Sequence, residues 1–400
     1  MLALLSLWAW NSGRAGLASL LSNYAGKANQ IAAANAAVRL GPTDAEAHYA
    51  RAVILMDHGD LPAAIEECEH AVRLRPSDFV LWLGLARARE LHGDIEGATA
   101  AAKHAVAMAP DYAQTHWQLG NVLVRAGLRD EGFKELLLGA EADRAFLPAV
   151  IDLAWQLSDG DPLFVKQVIQ PRSDDSLTAL AEYFRKRGKV NEAIEMFRAA
   201  GAGAEEKRQQ YVSELISARN FKEAWLLWCS FHPESHRNTG VIDAGFEHES
   251  QLDEAGFGWH RDSKTEFVSL SLDVNNPREG RSSLRVDFKG PSDPSTPIIS
   301  QLVLVDPLTR YKLHFAGRAE RVISGGRPLV IVADANNNTL LSQTSPFPEQ
   351  LNAWQDYEID FKSGETTNAI QIVLRREPCS KSPCPIFGRL WLDDFSLQKW

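Results

Sequence analysis

The chain is poor in most features that announce a chemistry. It has no Lys/Arg stripe: 42 basic residues stand against 52 acidic ones, for a net charge of −10. Residues 241–400 carry 17 basic and 22 acidic side chains, so both halves are acidic. Nucleic acid is excluded as a partner, because phosphate backbones demand clustered cations. No apolar run reaches the roughly 20 residues that cross a bilayer. Cysteine is scarce, at four residues. Cys68 and Cys229 stand alone in helical patterns, where small apolar packing is their expected role. Cys379 and Cys384 flank a Ser-Lys-Ser-Pro loop, and two cysteines without a histidine pair do not make a zinc site. Their spacing allows a local disulfide, which would place the chain in an oxidising compartment; two unrelated loop thiols are the alternative. There is no Gly-x-Ser-x-Gly elbow, phosphate-binding glycine loop or His-Glu-x-x-His helix, the usual carriers of hydrolytic and phosphoryl chemistry. The adjacent Asp393 and Asp394 point to opposite faces of a strand, and cannot flank a glycosidic bond at the roughly 5–9 Å that hydrolysis needs. The 11 histidines are scattered; His48 and His116 share a repeat slot, which argues for packing. The expectation is a protein that binds and does not catalyse.

The amino terminus, Met1 to Trp10, reads MLALLSLWAW. It lacks the basic n-region and clear cleavage site of a secretory signal. Three readings stand open: a weak signal peptide, the tail of a membrane span, or a first helix whose Leu2, Leu5 and Trp8 cap the next helix pair. Trp8 and Trp10 suit a membrane interface, so membrane attachment through this segment and an extracytoplasmic location are expected, with a cytoplasmic location as the alternative.

What is present is a period. Pro42, Pro76 and Pro110 are 34 residues apart, as are Gly59, Gly93 and Gly127. Ala64, Ala98 and Gly132 share one slot; Ala37, Ala71, Ala105 and Gly139 share another. Large residues, Trp82 and the shifted Trp117, follow the unit starts. Each glycine ends a first helix, each small residue lets the second helix approach closely, and each proline stops it. Units 45–78, 79–112 and 113–146 resemble tetratricopeptide repeats. A partial unit at 11–44 precedes them, with Ile31 to Leu40 as its second helix. The register slips around Asp159 to Pro162. It resumes at 174 with Leu177, Leu180, Ala181, Phe184, Gly188, Ala193, Phe197 and Ala200, and a last unit carries Ala224 and Trp228. The resemblance implies an α-solenoid over 11–232 whose stacked first helices offer a groove to a protein or peptide. Tyr49, Val53, Leu83, Arg87, Trp117, Asn121 and Arg125 occupy the family's groove positions. The family's carboxylate clamp for C-terminal tails is not reproduced. Trp117, Asn121 and Arg125 form a stripe at i, i+4 and i+8, with packing between units as their alternative role.

After Phe231 the texture changes. Residues 233–240 are polar and turn-forming, a linker. Beyond them alternation replaces helical spacing: Leu284, Val286 and Phe288 on one face, then Tyr311, Leu313 and Phe315, then Ile370, Ile372 and Leu374. Runs at 298–305 and 328–334 are more fully apolar, and Asp334 to Asn338 is a hairpin signal. Eight or nine strands over 241–400 imply an antiparallel β-sandwich, giving a multi-domain α plus β chain.

Particular phrases sharpen this. Asp243-Ala-Gly-Phe-Glu247 opens the segment, Gly280-Arg-Ser-Ser-Leu-Arg-Val286 follows, and Leu390-Trp-Leu-Asp-Asp-Phe-Ser-Leu397 closes it. This order resembles carbohydrate-binding modules of the galactose-binding-like jelly-roll fold. It departs from their pattern at Asp243, usually Asn, and in the inserted loop at 377–385. The resemblance implies that Glu247 with Asp393 or Asp394 holds a structural calcium, a hard cation suited to such oxygen ligands; ion-free hydrogen bonds joining the first and last strands are the alternative. No other cofactor is implied. For a polysaccharide ligand, Trp259, Trp354 and Trp391 are possible platforms, or core tryptophans. His314, Arg318, Gln371 and Arg375 could project from one sheet face. The expected whole is a scaffold joining a protein-binding groove to a glycan-binding module in surface-polysaccharide assembly or export. The alternative is a protein scaffold whose sandwich is structural or oligomerising; a glycan-active enzyme is the remote third.

Overall fold

A computed structural model describes residues 2–232, 240–248, 256–261, 267–379 and 384–400; the side chains of residues 2–12 and of Ala202 also lie outside the description. Most of the 233–240 linker, and the side chains of Leu2, Leu5, Trp8 and Trp10, therefore fall outside it. The chain forms two compact units, Met1–Arg172 and Ser173–Trp400.

The first unit is helical throughout: α1 (Leu2–Ala28), α2 (Ile31–Leu40), α3 (Ala45–Asp57), α4 (Leu61–Leu74), α5 (Phe79–His92), α6 (Ile95–Met108), α7 (Ala113–Arg125), α8 (Arg129–Ala142), α9 (Leu147–Leu157) and α10 (Pro162–Ile169). The apolar start of the chain is continuous with α1. No helix among the described residues is long and apolar enough to cross a membrane.

The 34-residue period is written into the helix ends. Asp44 and Asp78 cap α3 and α5 by accepting the N–H of Glu46 and Val80, while Asp60 and Asp94 cap α4 and α6. These carboxylates satisfy amide groups that a helix start leaves unpaired. Gly59, Gly93 and Gly127 all have φ of +80° to +88°, the left-handed conformation that glycine adopts without a Cβ penalty. Within each pair, small residues set the crossing distance. A Cβ on Gly120 of α7 would sit 2.8 Å from the Gly132 carbonyl oxygen and 2.9 Å from the Leu136 nitrogen of α8. These are backbone atoms that cannot rotate away. Gly120→Ala should therefore destabilise the first unit by about 2–3 kcal/mol, as overpacked cores do, measured by urea denaturation; a loss under about 0.5 kcal/mol would show that the helices separate freely.

The second unit begins with two further helix pairs, α11 (Asp174–Lys186) with α12 (Val190–Ala199) and α13 (Glu205–Ser217) with α14 (Phe221–Trp228). It continues into ten strands, β1 (Trp259–Arg261), β2 (Val268–Asp273), β3 (Ser283–Pro291), β4 (Ile299–Leu304), β5 (Arg310–Ser324), β6 (Pro328–Asp334), β7 (Leu340–Gln343), β8 (Leu351–Lys362), β9 (Ala369–Arg376) and β10 (Pro385–Lys399). They make two five-stranded antiparallel sheets, ordered β1-β4-β9-β6-β7 and β2-β3-β10-β5-β8. Leu284, Val286, Phe288, Leu313, Phe315, Leu390 and Leu392 from one sheet meet Val330, Val332, Ile370, Ile372 and Leu374 from the other in a single core. The runs at 298–305 and 328–334 are more fully apolar because β4 and β6 are buried on both faces, with Ser300, Gln301 and Asp334 as their buried polar members; Leu329, Ile331, Ala333 and Val373 form a second buried cluster outside the main core. The Asp334–Asn338 hairpin joins β6 to β7.

Candidate functional site

In the first unit, α3, α5 and α7 touch one another as successive first helices. The expected groove residues divide by environment. Arg87 and Arg125 are exposed. Arg125 pairs with Glu90 of α5 at 2.9 Å, and Gln118 of α7 donates to the same carboxylate at 3.2 Å, so α5 and α7 are bridged by side chains. Tyr49, Trp117 and Asn121 are only partly exposed and serve packing. The Tyr49 ring lies over Gly84, where a Cβ would come within 2.2 Å of it, and burial pushes its phenol pKa up. Trp117 stacks on Phe146 with ring centres 4.9 Å apart, and Asn121 donates to the Trp117 carbonyl. Cys68 and Cys229 are buried, and burial raises the Cys68 thiol to about 12, an inert packing group.

The aromatic slot of the repeat is occupied differently from the sequence expectation. Its members are His48, Trp82 and His116, each presenting a ring nitrogen to the carbonyl of the proline six residues earlier: Pro42 at 3.1 Å, Pro76 at 2.7 Å and Pro110 at 2.6 Å. Trp117 stands one position beyond that slot. The other nitrogens of His48 and His116 meet Glu67 and Glu135, both at 2.7 Å. These histidines fasten helix pairs, as their shared slot suggests.

In the second unit, the outer face of the β2-β3-β10-β5-β8 sheet carries a lateral row. Trp391 of β10 stands opposite Arg285 of β3 and Arg318 of β5 in register. The Arg318 guanidinium lies 4.1 Å from the centre of Trp391 and 5.7 Å from that of Trp354 on β8; Arg285 lies 5.9 Å from Trp391 on the other side. His314 of β5 is on the same sheet, against Glu358 at 3.3 Å. The β2–β3 loop, residues 274–282, reaches across to this row: the indole N–H of Trp354 donates to the Asn276 carbonyl, and Arg278 pairs with Asp356 at 3.1 Å. Asp273, at the start of the loop, accepts from the Trp391 indole at 2.8 Å. Burial works against the Asp273 carboxylate, but the bonds from Trp391 and Asn275 outweigh it and hold the pKa below the ordinary value.

The structure corrects the glycan set in two ways. Gln371 and Arg375 lie on β9, in the other sheet, and do not share a face with His314 and Arg318. Trp259 is 2 % exposed, stacked on Phe246 and edge-on to Phe395, with its N–H bonded to the Asp243 carbonyl. It is core. Of the seven residues considered for glycan contact, Arg318, Trp354, Trp391 and His314 share the β2-β3-β10-β5-β8 sheet.

The residues expected to hold calcium do something else. Asp393 is fully buried; its Oδ2 accepts the N–H of Arg278 at 2.8 Å and of Glu279 at 3.3 Å, and its Oδ1 accepts the N–H of Asp394. Glu247 Oε1 accepts the N–H of Arg281 at 2.8 Å. A Cβ at Gly280, where φ is +66°, would collide with that Glu247 oxygen. Two carboxylates thus brace one loop through its amides. Asp394 is exposed and turned away from the pair, at φ +53°. Among the described residues no three His, Cys, Asp or Glu side chains converge as a metal cluster. Calcium wants six to eight oxygens, whereas both Asp393 oxygens and Glu247 Oε1 already accept backbone N–H groups, so the donor set does not fit the ion. Excess EDTA or millimolar calcium should move the melting temperature of the second unit by less than about 1 °C. A true structural site at saturation would add about 2.7 kcal/mol and several degrees.

Cys379 and Cys384 are joined as a disulfide. Beside it, Arg376 is 1 % exposed, with no carboxylate on its guanidinium among the described residues; it donates to the carbonyls of Gly326, Ser292 and Cys384, to Ser324 Oγ and to Cys384 Sγ. Burial lowers its pKa. Arg376 ties together the loops before β4, before β6 and before β10, a role that nothing in the local sequence pattern advertises.

Residues 21–79 match the family profile described as tetratricopeptide repeat. No curated protein matches the chain. Among solved structures, similarity extends to MamA from Desulfovibrio magneticus RS-1 (17% identity, 43% of this chain and 96% of that one, TM-score 0.35). It also extends to pilF of Pseudomonas aeruginosa (17% identity, 47% and 90%, TM-score 0.35). A third is YrrB, titled a TPR protein with an unusual peptide-binding site (17% identity, 46% and 81%, TM-score 0.30). The family match covers residues 21–79, and the same 34-residue period of glycines continues through the helix pairs up to α8.

Proposed function

We propose that the chain is a non-catalytic scaffold that holds a protein or peptide partner on its tetratricopeptide array and contacts glycan through its sandwich, in the assembly or export of a surface polysaccharide outside the cytoplasm. The observation that carries the protein-binding part is the contiguous row of first helices α3, α5 and α7, on which Arg87 and Arg125 stay exposed beside the side-chain bridge to Glu90. Stacked repeats present such rows to extended peptides or partner helices. The glycan part is supported by the aromatic and guanidinium row on the outer sheet face. The extracytoplasmic setting is supported by the Cys379–Cys384 disulfide, since such bonds persist in oxidising compartments.

The test is a peptide array probed with the full chain. A bound peptide should lose about tenfold in affinity, about 1.4 kcal/mol, with Arg87→Gln and Arg125→Gln combined, while helicity stays unchanged. Peptides that bind both proteins equally, or no peptide retained at all, would overturn the groove reading.

A further inference from the structure

The outer face of the β2-β3-β10-β5-β8 sheet is rich in charge, and five of its basic side chains are paired. Arg285 meets Asp287 at 2.7 Å; Arg389 meets Asp287 at 3.4 Å and Glu320 at 3.5 Å; Lys312 meets Glu358 at 2.8 Å; His314 meets Glu358 at 3.3 Å; Arg278 meets Asp356 at 3.1 Å. Arg318 sits in the middle of this face and contacts no carboxylate among the described residues. Its guanidinium is held by two indoles, Trp391 at 4.1 Å and Trp354 at 5.7 Å. Its Nε is shut off from solvent with no hydrogen-bond partner.

A partly desolvated cation without a counter-charge is unfavourable, and two indole faces offset only part of that cost. The rings do, however, hold the guanidinium in place, and a planar fork so held is suited to a carboxylate, which it can bind through two parallel N–H bonds. The surroundings narrow the ligand further. Trp354 is partly exposed beside the fork, and its flat indole fits the C–H face of a sugar ring. The 274–282 loop borders the row, tied to Trp354 through Asn276 and to Asp356 through Arg278. A free small anion would need the fork alone; a ring that carries a carboxylate uses both the fork and the indole.

Resting on the glycan reading above, we infer that Arg318, clamped between Trp354 and Trp391, is the carboxylate-binding point of that site, and that its ligand is an acidic polysaccharide built of uronic acids. Asp393 and Glu247 serve this site at one remove, because they hold the amides of the loop that borders it.

The experiment is affinity electrophoresis of the full chain in gels of polygalacturonate, alginate or hyaluronan, with methyl-esterified polygalacturonate as the neutral version of one backbone. The expected result is retardation by at least one acidic polymer, with esterification or Arg318→Lys weakening it about tenfold or more. Arg389→Gln, which removes a paired cation from the same face, should leave retention intact. Lys keeps the charge and the stem but not the planar fork, so Arg318→Lys remains informative if Arg318→Gln does not fold. Equal retardation by the acid and its methyl ester, unaffected by Arg318→Lys, would overturn the carboxylate assignment and leave a neutral-glycan site standing. Retention by acidic polymers and by dextran sulfate alike, indifferent to Arg318→Lys, would show a generic polyanion effect and overturn it too. If none of the acidic polymers and no neutral glucan, xylan or galactan is retained, the glycan reading itself fails, and this assignment with it.

Discussion

Asp393→Ala should cost the second unit about 3–5 kcal/mol, the penalty of removing one partner from a buried charged network. The carboxylate is fully buried and accepts three amide N–H groups, from Arg278, Glu279 and Asp394. Alanine leaves all three without an acceptor, in a place where water does not replace it. Urea denaturation followed by tryptophan fluorescence reads the change, since Trp259, Trp354 and Trp391 all lie in this unit. The same variant should free the 274–282 loop, which hydrogen exchange at residues 278 and 279 would report. A loss below about 1 kcal/mol, or unchanged exchange, would mean that the loop is held by something other than this brace.

The brace also sets a pH dependence of defined sign. Burial raises the Asp393 pKa to about 6, against the opposing effect of its amide bonds and with a small further push from Asp394. The folded state therefore holds a proton that the unfolded chain, with an ordinary aspartate near 4, has already released. Between about pH 4 and pH 6 the native state binds more protons than the unfolded one, so stability falls as pH rises through that window and is level above it. Over two pH units the contribution reaches at most about 3 kcal/mol. Carboxylates whose pKa is depressed, such as Asp273, act in the opposite sense and lose their contribution only at lower pH. Asp393→Asn should flatten the slope between pH 4 and 6 in the second unit's denaturation midpoint; a slope unchanged in that variant would assign it to another group.

The fold was legible because its periodicities are physical. Three uninterrupted 34-residue units leave no other arrangement for glycines at 59, 93 and 127 or for small residues at 64, 98 and 132, and the structure has helix ends and close crossings there. The aspartates at 44, 60, 78 and 94, which cap α3 to α6, follow the same spacing, a regularity seen only with the structure. Strand alternation fixed the inner faces of the sandwich in the same way. The site was less legible, because a strand's sequence says which residues share its face and nothing about which strand lies beside it. His314 and Arg375 alternate alike, yet β5 and β9 belong to different sheets. Trp259 and Trp391 are both buried tryptophans, but only register with Arg285 and Arg318 distinguishes the one that lies on the outer sheet face, covered by those two guanidinium groups. The role of Asp393 was half visible. The closing Asp-Asp phrase marked it as a junction residue with Glu247, but its partners are backbone amides of the 274–282 loop and of Asp394, which no side-chain motif encodes.

The second large effect is expected at the end of the last helix. Trp228→Ala should destabilise the second unit by about 3–5 kcal/mol, the range for truncating a buried aromatic. Trp228 is 2 % exposed, stacked on Trp225 and His232, and packed against Phe257 just before β1, with Gly256 leaving no room for a side chain between them. Trp225 meets the same Phe257 edge-on at 4.9 Å. This cluster joins α14 to the sandwich, so α11 to α14 share one compact unit with the strands and not with the helices that precede them in the repeat. The indole N–H of Trp228 is buried without a partner among the described residues, so its contribution is packing alone. Trp228→Phe should accordingly be tolerated, at a cost of about 1 kcal/mol or less, because it keeps ring contact and removes an unsatisfied donor. If the two substitutions cost the same, the N–H has a partner after all and the packing account is wrong. If neither costs more than about 1 kcal/mol, α13 and α14 are not fastened to the sandwich through these rings, and a fragment beginning at Gly240 should be as stable as one beginning at Ser173.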